Sequence, residues 1–600
     1  MTDYYHTFHI PVMGTGHSVD TPIRLGHLGI SSVISLVDDL LLERIREYYS
    51  RKCGLSYTRI PRKEEDGRAK RTTAYLEMVA EIVRVKMQAV KDLPFFEQND
   101  KSRYFELLPE EIPLKQEYLR LIRMETGPER DVFAGKLTDK MWPGSIDVNI
   151  MTKLDRVQLD ENRQPLGDEF SDAKAALRGY AKSSLKSCIV FSAGINQGLY
   201  HYMTQFQDFY RDAKGEIKKK IVLKVSDFRS ALIQGKFLAK KGLEIHEFRI
   251  ESGLNCGGHA FPCNGHLLPS ILKEFKEKRE LLARELMGLV ARYYASMGWK
   301  YPESESYTPL VTVQGGIGTN GEARRLREDF GMDMTGWGTP FLLVPEATCV
   351  DDPTRELLRR AGNKDVYLSG ASPLGIPFNN LHGTGSDLWT QKRAAEGRPG
   401  SPCHKGYLVS NTDFSTKPVC LASSRYQRHK LKEIDSDPNT SAVEKQRLRA
   451  GIFEKACICD HLGNGALIAL GIAEEKNSPQ CICPGPNIAW FNRLYTLEEM
   501  VDHIYGRGPS LVPKERPHVF AKEIEMYVDY FQTMADQFRG AARELKNLQE
   551  FKENLENSLD YCLEIARNEP YRDENLASIP PCVERERSRL RSIYDEVANP

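Results

Sequence analysis

The sequence predicts an α/β fold of repeated β-α units, and three observations predict it. Short apolar segments recur between amphipathic helical stretches as far as about residue 375. Those segments are continuously apolar rather than alternating, as strands covered by helices on both faces require. Glycine-rich turns then follow two neighbouring segments near residues 315 and 336. Repeated β-α units of this length make either a doubly wound sheet or a closed (β/α)8 barrel.

The strand segments are, in order, HTFHIPVM near 7–13, SSVISLV at 31–37, SIDVNIM at 145–151, SCIVFSA at 187–193, KIVLKVS at 220–226, EIHEFRI at 244–250 and PLVTVQG at 309–315. Helical stretches such as DAKAALRGYAKSSL and DFRSALIQGKFLAKKG lie between them. Residues 41–142 interrupt the rhythm. They are charged and mostly helical, with AKRTTAYLEMVAEIVRVKMQAVKDL the clearest amphipathic run, and they read as an insertion. The basic residues from Arg68 to Arg71 follow Lys63, Glu64, Glu65 and Asp66, so a solvated face is expected there.

The expected organisation is a barrel from residues 1–40 and 143–385, the helical insertion 41–142, an irregular cysteine-rich module 386–512 and a helical tail 513–600. In the tail, apolar residues recur at three- and four-residue spacing, which predicts one long helix or a helical hairpin suited to packing or self-association. A chain of 600 residues exceeds the size at which a single core stops growing.

Lys plus Arg and Asp plus Glu are 83 each, so the basic excess of a dedicated nucleic-acid or membrane-surface binder is absent. Hydrophobic residues at 40% exclude wholesale disorder. With no long apolar run to span a bilayer and no secretory layout at the amino terminus, the chain reads as soluble and cytoplasmic.

The strongest chemical signal is VTVQGGIGTNGEARRL, where a strand runs into Gly315, Gly316 and Gly318 and a helix follows. Glycines let backbone approach a phosphate, and a helix amino terminus offers free N–H groups. MTGWGTPFLLVPEA supplies a second turn at Gly336, Gly338 and Thr339. Two consecutive turns of this kind form the phosphate cup of a (β/α)8 barrel, after its last two strands. Upstream, EIHEFRIESGLNCGGHAF places Gly257, Gly258 and His259 in a tight loop at a strand end, on the same barrel face.

Taken in order, these segments resemble the FMN-dependent (β/α)8 flavoproteins of the nitronate monooxygenase and flavin enoyl-reductase type. Pro11-Val12-Met13-Gly14 is similar to the family's opening turn and Val148-Asn149-Ile150 to its Asn-bearing strand. Ser192-Ala193-Gly194 is similar to its Ser-x-Gly strand end, and Gly257-Gly258-His259 to its Gly-Gly-His loop. The two phosphate turns match at 315–319 and 338–342, and the resemblance covers roughly residues 7–50 and 143–380. It implies that the backbone at Gly315, Gly316, Gly318, Gly338 and Thr339 holds the FMN phosphate. Met13, Gly14, Asn149, Lys224, Gly257 and Gly258 would line the rest of the cofactor, with Lys224 stabilising negative charge on the reduced ring. His259 would exchange a proton with substrate. The chain departs from the family in having Asn255-Cys256 where a Glu-Ala pair is usual, with Cys263 nearby, and in its insertion and long carboxyl-terminal part.

Of 13 cysteines, Cys403, Cys420, Cys457, Cys459, Cys481 and Cys483 fall within 81 positions. In a reducing compartment this points to metal or redox chemistry before disulfides. The Cys-x-Cys pairs lack the spacing of structural zinc knuckles, and the Cys-Pro ending occurs in ferredoxin-type motifs. The expectation is a [4Fe-4S] cluster on Cys420, Cys457, Cys459 and Cys483, with zinc or unligated thiols as alternatives and His404 and His461 as alternate ligands. Gly463, Asn464 and Gly465 are expected to form a turn.

The functional expectation is an FMN-dependent oxidoreductase acting on a small molecule. NAD(P)H, or an electron-donor protein acting through the cluster, would reduce it. The alternatives are an FMN-binding structural or regulatory subunit of a larger assembly, and an RNA-modifying flavoenzyme, against which the charge balance argues.

Overall fold

The computed structural model describes residues 4–160, 162, 164–192, 194–302 and 308–598. Eight strands form a parallel barrel: β1 (Phe8–His9), β2 (Ser32–Ser35), β3 (Ile146–Ile150), β4 (Ser187–Phe191), β5 (Lys219–Val225), β6 (Ile245–Glu251), β8 (Leu310–Gln314) and β9 (Met334–Gly336). Neighbours pair in chain order, β9 returns to β1 at Phe8↔Thr335, and a parallel bridge at Ile10↔Ser32 joins β1 to β2. Every strand segment expected from the sequence lies in this barrel. The short β7 (Gly258–His259) joins β10 (Val366–Ser369) and β11 (Phe378–Leu381) in a separate antiparallel sheet.

The strands are rich in apolar residues because they face helices outside and packed side chains within. Ile189, Val222, Phe248 and Val313 are buried, and full burial of such a side chain contributes roughly 1.5–3 kcal/mol. The barrel centre also holds the ion pair Arg249–Glu247 at 2.7 Å, with Thr312 donating its hydroxyl to Glu247. Removing one partner of such a pair leaves a buried charge and costs about 3–5 kcal/mol.

Residues 41–142 are helical, as expected, in the helices Asp39–Lys52, Gly67–Asp92, Asp100–Leu107, Pro113–Leu121 and Pro128–Asp139. Lys70 lies on a solvated face as expected, paired with Glu64 at 2.7 Å, but the arginines of the run do not. Arg68 and Arg71 are buried and both grip Asp39, with Arg71 Nε donating to Asp39 Oδ2 at 2.8 Å. The buried carboxylate requires cations, and two turns of one helix supply them. Their charge holds Asp39 below the usual carboxylate range against the upward push of burial.

The cysteine-rich stretch is more regular than its composition predicts, with helices Ser424–Ser436, Ala442–Glu454, Ile458–Ala469 and Leu497–Tyr505. Gly463, Asn464 and Gly465 lie inside the helix Ile458–Ala469 rather than in a turn. A Cβ on Gly463 would stand 3.1 Å from Leu41 Cδ2, and one on Gly465 would stand 2.9 Å from Asp351 Oδ2. The glycines there permit close packing against the barrel.

The tail forms three helices, Val519–Asp536, Ala542–Ile565 and Ile579–Ala598, that pack on one another and on the helix Leu268–Ser296. Gly540, with φ of +85°, separates the first two, and Pro570 precedes the third. No helix among the described residues is long and apolar enough to cross a membrane.

Candidate functional site

The carboxyl-terminal ends of the barrel strands open into one cavity of about 190 Å³. Its wall begins just after β1, where Met13 and Gly14 turn inward; Gly14 has a φ of +53°, which favours glycine there. Asn149 on β3 lines the floor and donates its amide to Val190 O and Ser192 Oγ, both at 3.1 Å. Ala193 of the matched Ser-Ala-Gly strand end lies outside the described residues. From β5 comes Lys224, paired with Glu251 of β6 at 2.8 Å. Gln314 at the end of β8 donates to the same carboxylate at 2.7 Å.

Gly315 and Gly316 follow β8 with φ of +108° and +79°, and Gly338 and Thr339 follow β9. All four line the cavity, so the two glycine turns stand side by side at its rim, as their strands are direct neighbours. Gly318 does not line it. Its N–H donates to Glu322 Oε2 at 2.8 Å, and a Cβ there would stand 2.4 Å from the Arg516 guanidinium carbon. That glycine makes room for a side chain behind the turn, which corrects its expected place among the phosphate-facing residues.

Gly257, Gly258 and His259 line the same cavity. His259 is not exposed on a free loop: β7 pairs with β11 at Phe378↔His259, and the ring lies edge-on to Phe378 at 5.2 Å. Its Nε2 is 2.7 Å from Ser372 Oγ. Burial, with Lys153 and Lys224 nearby, lowers its pKa from 6.5 to about 4, so the ring is neutral at pH 7. The outer wall is apolar, with Phe261, Leu374, Ile376 and Phe378.

The carboxyl-terminal half completes the enclosure. Leu462 and Asn487 line the cavity, and Gly485 N–H donates to Thr339 Oγ1 at 2.9 Å. Cys483 lines it too. Burial pushes its pKa up to about 12, against the lowering effect of the nearby Gly14 N–H.

This placement corrects the expected metal set. The thiols fall into two groups, in which Cys403, Cys420, Cys457 and Cys459 influence one another and Cys481 influences Cys483. Cys420, Cys457 and Cys459 sit in an apolar cluster with Tyr407 and Ile458. Among the described residues no three His, Cys, Asp or Glu side chains are arranged to hold a metal ion. His461, the alternate ligand, pairs with Ser386 Oγ at 2.7 Å. The spacing of cysteines along the chain could not show that Cys483 turns toward the barrel.

The residues present fit a phosphorylated planar cofactor. Left-handed Gly14, Gly258, Gly315 and Gly316 line the cavity, Lys224 brings a cation to it, and the buried Thr15 Oγ1 on its wall has no hydrogen-bond partner among the described residues.

No family model and no curated protein matches the chain. Among solved structures it is similar to FabK from Thermotoga maritima, at 14% identity over 68% of this chain and 85% of that one, with a TM-score of 0.31. It is similar also to the enoyl reductase domain of MlnA from the macrolactin biosynthesis cluster of Bacillus amyloliquefaciens. There the identity is 16% over 73% of this chain and 89% of that one, with a TM-score of 0.33.

Proposed function

We propose that this chain is an FMN-dependent oxidoreductase, nitronate monooxygenase-like or enoyl-reductase-like, that takes its electrons from NAD(P)H and acts on a small molecule. The observation that carries this reading is the convergence of two glycine turns, the Lys224–Glu251 pair and His259 on one cavity at the strand ends of a barrel.

FMN, when bound, supplies hydride and single-electron transfer; the protein supplies binding, orientation and protons. The turns at Gly315–Gly316 and Gly338–Thr339 would hold the phosphate through backbone N–H groups. Met13, Gly14 and Asn149 would border the ring and its side chain. Lys224 brings positive charge to the cavity floor, and Glu251 tempers it. Phe261, Leu374, Ile376 and Phe378 exclude water and favour an apolar substrate portion. His259 is neutral, with Nε2 held by Ser372, and its Nδ1–H would donate a hydrogen bond that orients and polarises the substrate.

The test is anaerobic purification, absorption spectroscopy and mass analysis of any released cofactor, followed by titration with NADH or NADPH. A yellow protein that releases FMN and is bleached by one of the two supports the reading. A colourless protein that takes up no added FMN ends it.

A further inference from the structure

The turn after β8 is braced from behind by side chains of the carboxyl-terminal part, far away in sequence. Arg516 is 4% exposed, and all three of its guanidinium nitrogens are engaged. Nη2 donates to Gly316 O at 2.7 Å, Nη1 to Glu322 Oε1 at 2.6 Å and Nε to Asn487 Oδ1 at 2.8 Å. Asn487 in turn donates its amide to Ile317 O at 2.8 Å, and His503 Nε2 lies 2.9 Å from Gly318 O. Three successive carbonyls of the turn are thus held by side chains from residues 487–516.

A trans peptide points its C=O and the following N–H to opposite sides. With Gly316 O turned to Arg516 and Gly318 O to His503, the N–H groups of Ile317 and Thr319 point away from those side chains. Ile317 itself lines the cavity. Left-handed glycines have access to many other conformations, so without such braces the turn would have to be ordered on binding. The Arg516 charge is balanced by Glu322, so its contribution is directional rather than a net positive field.

The geometry points to Arg516 as a positioning residue for phosphate recognition. It presets the 315–319 backbone to receive a phosphate monoester, and so sets preference for FMN over riboflavin without touching the phosphate. This rests on the FMN reading above. A merely structural role would weaken both flavins alike, whereas loosening this turn alone would spare riboflavin, which has no phosphate to place there.

The experiment measures dissociation constants of FMN and riboflavin by flavin fluorescence quenching, using the full-length apoprotein of wild type, Arg516→Gln, Arg516→Lys and Asn487→Ala. Arg516→Gln is expected to weaken FMN at least tenfold while riboflavin changes less than about threefold. Arg516→Lys is expected to behave similarly, since an ammonium cannot make the planar three-way contact. Asn487→Ala, which frees Ile317 O and takes the acceptor from Arg516 Nε while leaving its bonds to Gly316 O and Glu322, is expected to give the same signature at smaller size, and it carries the test if Arg516→Gln does not fold. Equal losses for both flavins, no loss of FMN, or full rescue by lysine would each overturn the inference. Wild-type apoprotein that binds neither flavin would instead refute the FMN reading itself.

Discussion

Ser372 Oγ lies 2.7 Å from Nε2 of His259, across a sequence separation of 113 residues. Ser372 is buried, and its Oγ also accepts the Leu374 N–H at 3.2 Å. With an amide already donating to it, the hydroxyl can give its own proton to Nε2, which favours the tautomer protonated at Nδ1. One ring nitrogen is thereby anchored and the other left for substrate.

His259→Ala is expected to reduce turnover by roughly 10²- to 10⁴-fold while the bound flavin spectrum is retained. Because burial and two neighbouring lysines hold the imidazole near pKa 4, the acid limb of the rate profile should fall near pH 4 rather than 6.5. Ser372→Ala should lower kcat more than it alters KM. Steady-state kinetics from pH 4 to 9 checks all three, and an acid limb centred at 6.5 would place His259 in a wetter environment than this one.

The Lys224–Glu251 pair, with Gln314 on the same carboxylate, sets the charge of the cavity floor. Replacing Glu251 by Gln leaves the lysine uncompensated, which favours the anionic reduced flavin. An upward shift in two-electron potential on the order of 30 mV is expected for each tenfold change in relative affinity. Lys224→Met should shift it downward. Dye-coupled potentiometry on both variants reads the signs directly, and shifts in the same direction would refute the pairing argument.

Gly16 lies where the first barrel loop meets the helix Ile458–Ala469. A Cβ there would stand 2.8 Å from Leu462 O and 3.1 Å from Gly463 Cα, backbone atoms with little room to move. Gly16→Ala is expected to destabilise by about 1–3 kcal/mol. Gly135→Ala, in an exposed helix with nothing within 4 Å, should be neutral or slightly stabilising. Thermal melts of the two variants compare crowding against helix propensity within the same chain.

The barrel was legible because its signals are local. A buried strand is a short apolar run, and a phosphate turn is glycine at its end; both can be read within ten residues. Gln314 lay inside the most informative motif, yet its hydrogen bond to Glu251 depends on strand pairing, which a linear reading does not contain. Ser372, Leu462 and Arg516 belong to no motif. Each reaches the cavity or its rim because distant segments fold over the barrel mouth. Cys483 illustrates the converse: chain spacing groups it with the other cysteines, whereas packing turns it toward Gly14. Arg68 and Arg71 looked like a solvated face because their partner, Asp39, lies some thirty residues away.

Glu523 ties the tail to the barrel mouth. Fully buried, its carboxyl accepts from Ser252 Oγ at 2.6 Å and from Leu268 N–H at 2.9 Å. Burial raises its pKa from 4.5 to about 7 against the lowering effect of those two bonds. The folded state therefore holds this proton more tightly than the unfolded chain. Its stabilising contribution is complete below pH 4.5 and is lost as the pH rises through 7. A shift of that size corresponds to roughly 3 kcal/mol at pH 8. Glu523→Gln stays neutral at every pH, and its amide can accept from Leu268 N–H while donating to Ser252 Oγ. The variant is expected to match wild type in urea unfolding at pH 5 and to exceed it at pH 8. Parallel pH dependence in the two proteins would mean that Glu523 ionises freely in the folded state, contrary to its place between β6 and the tail.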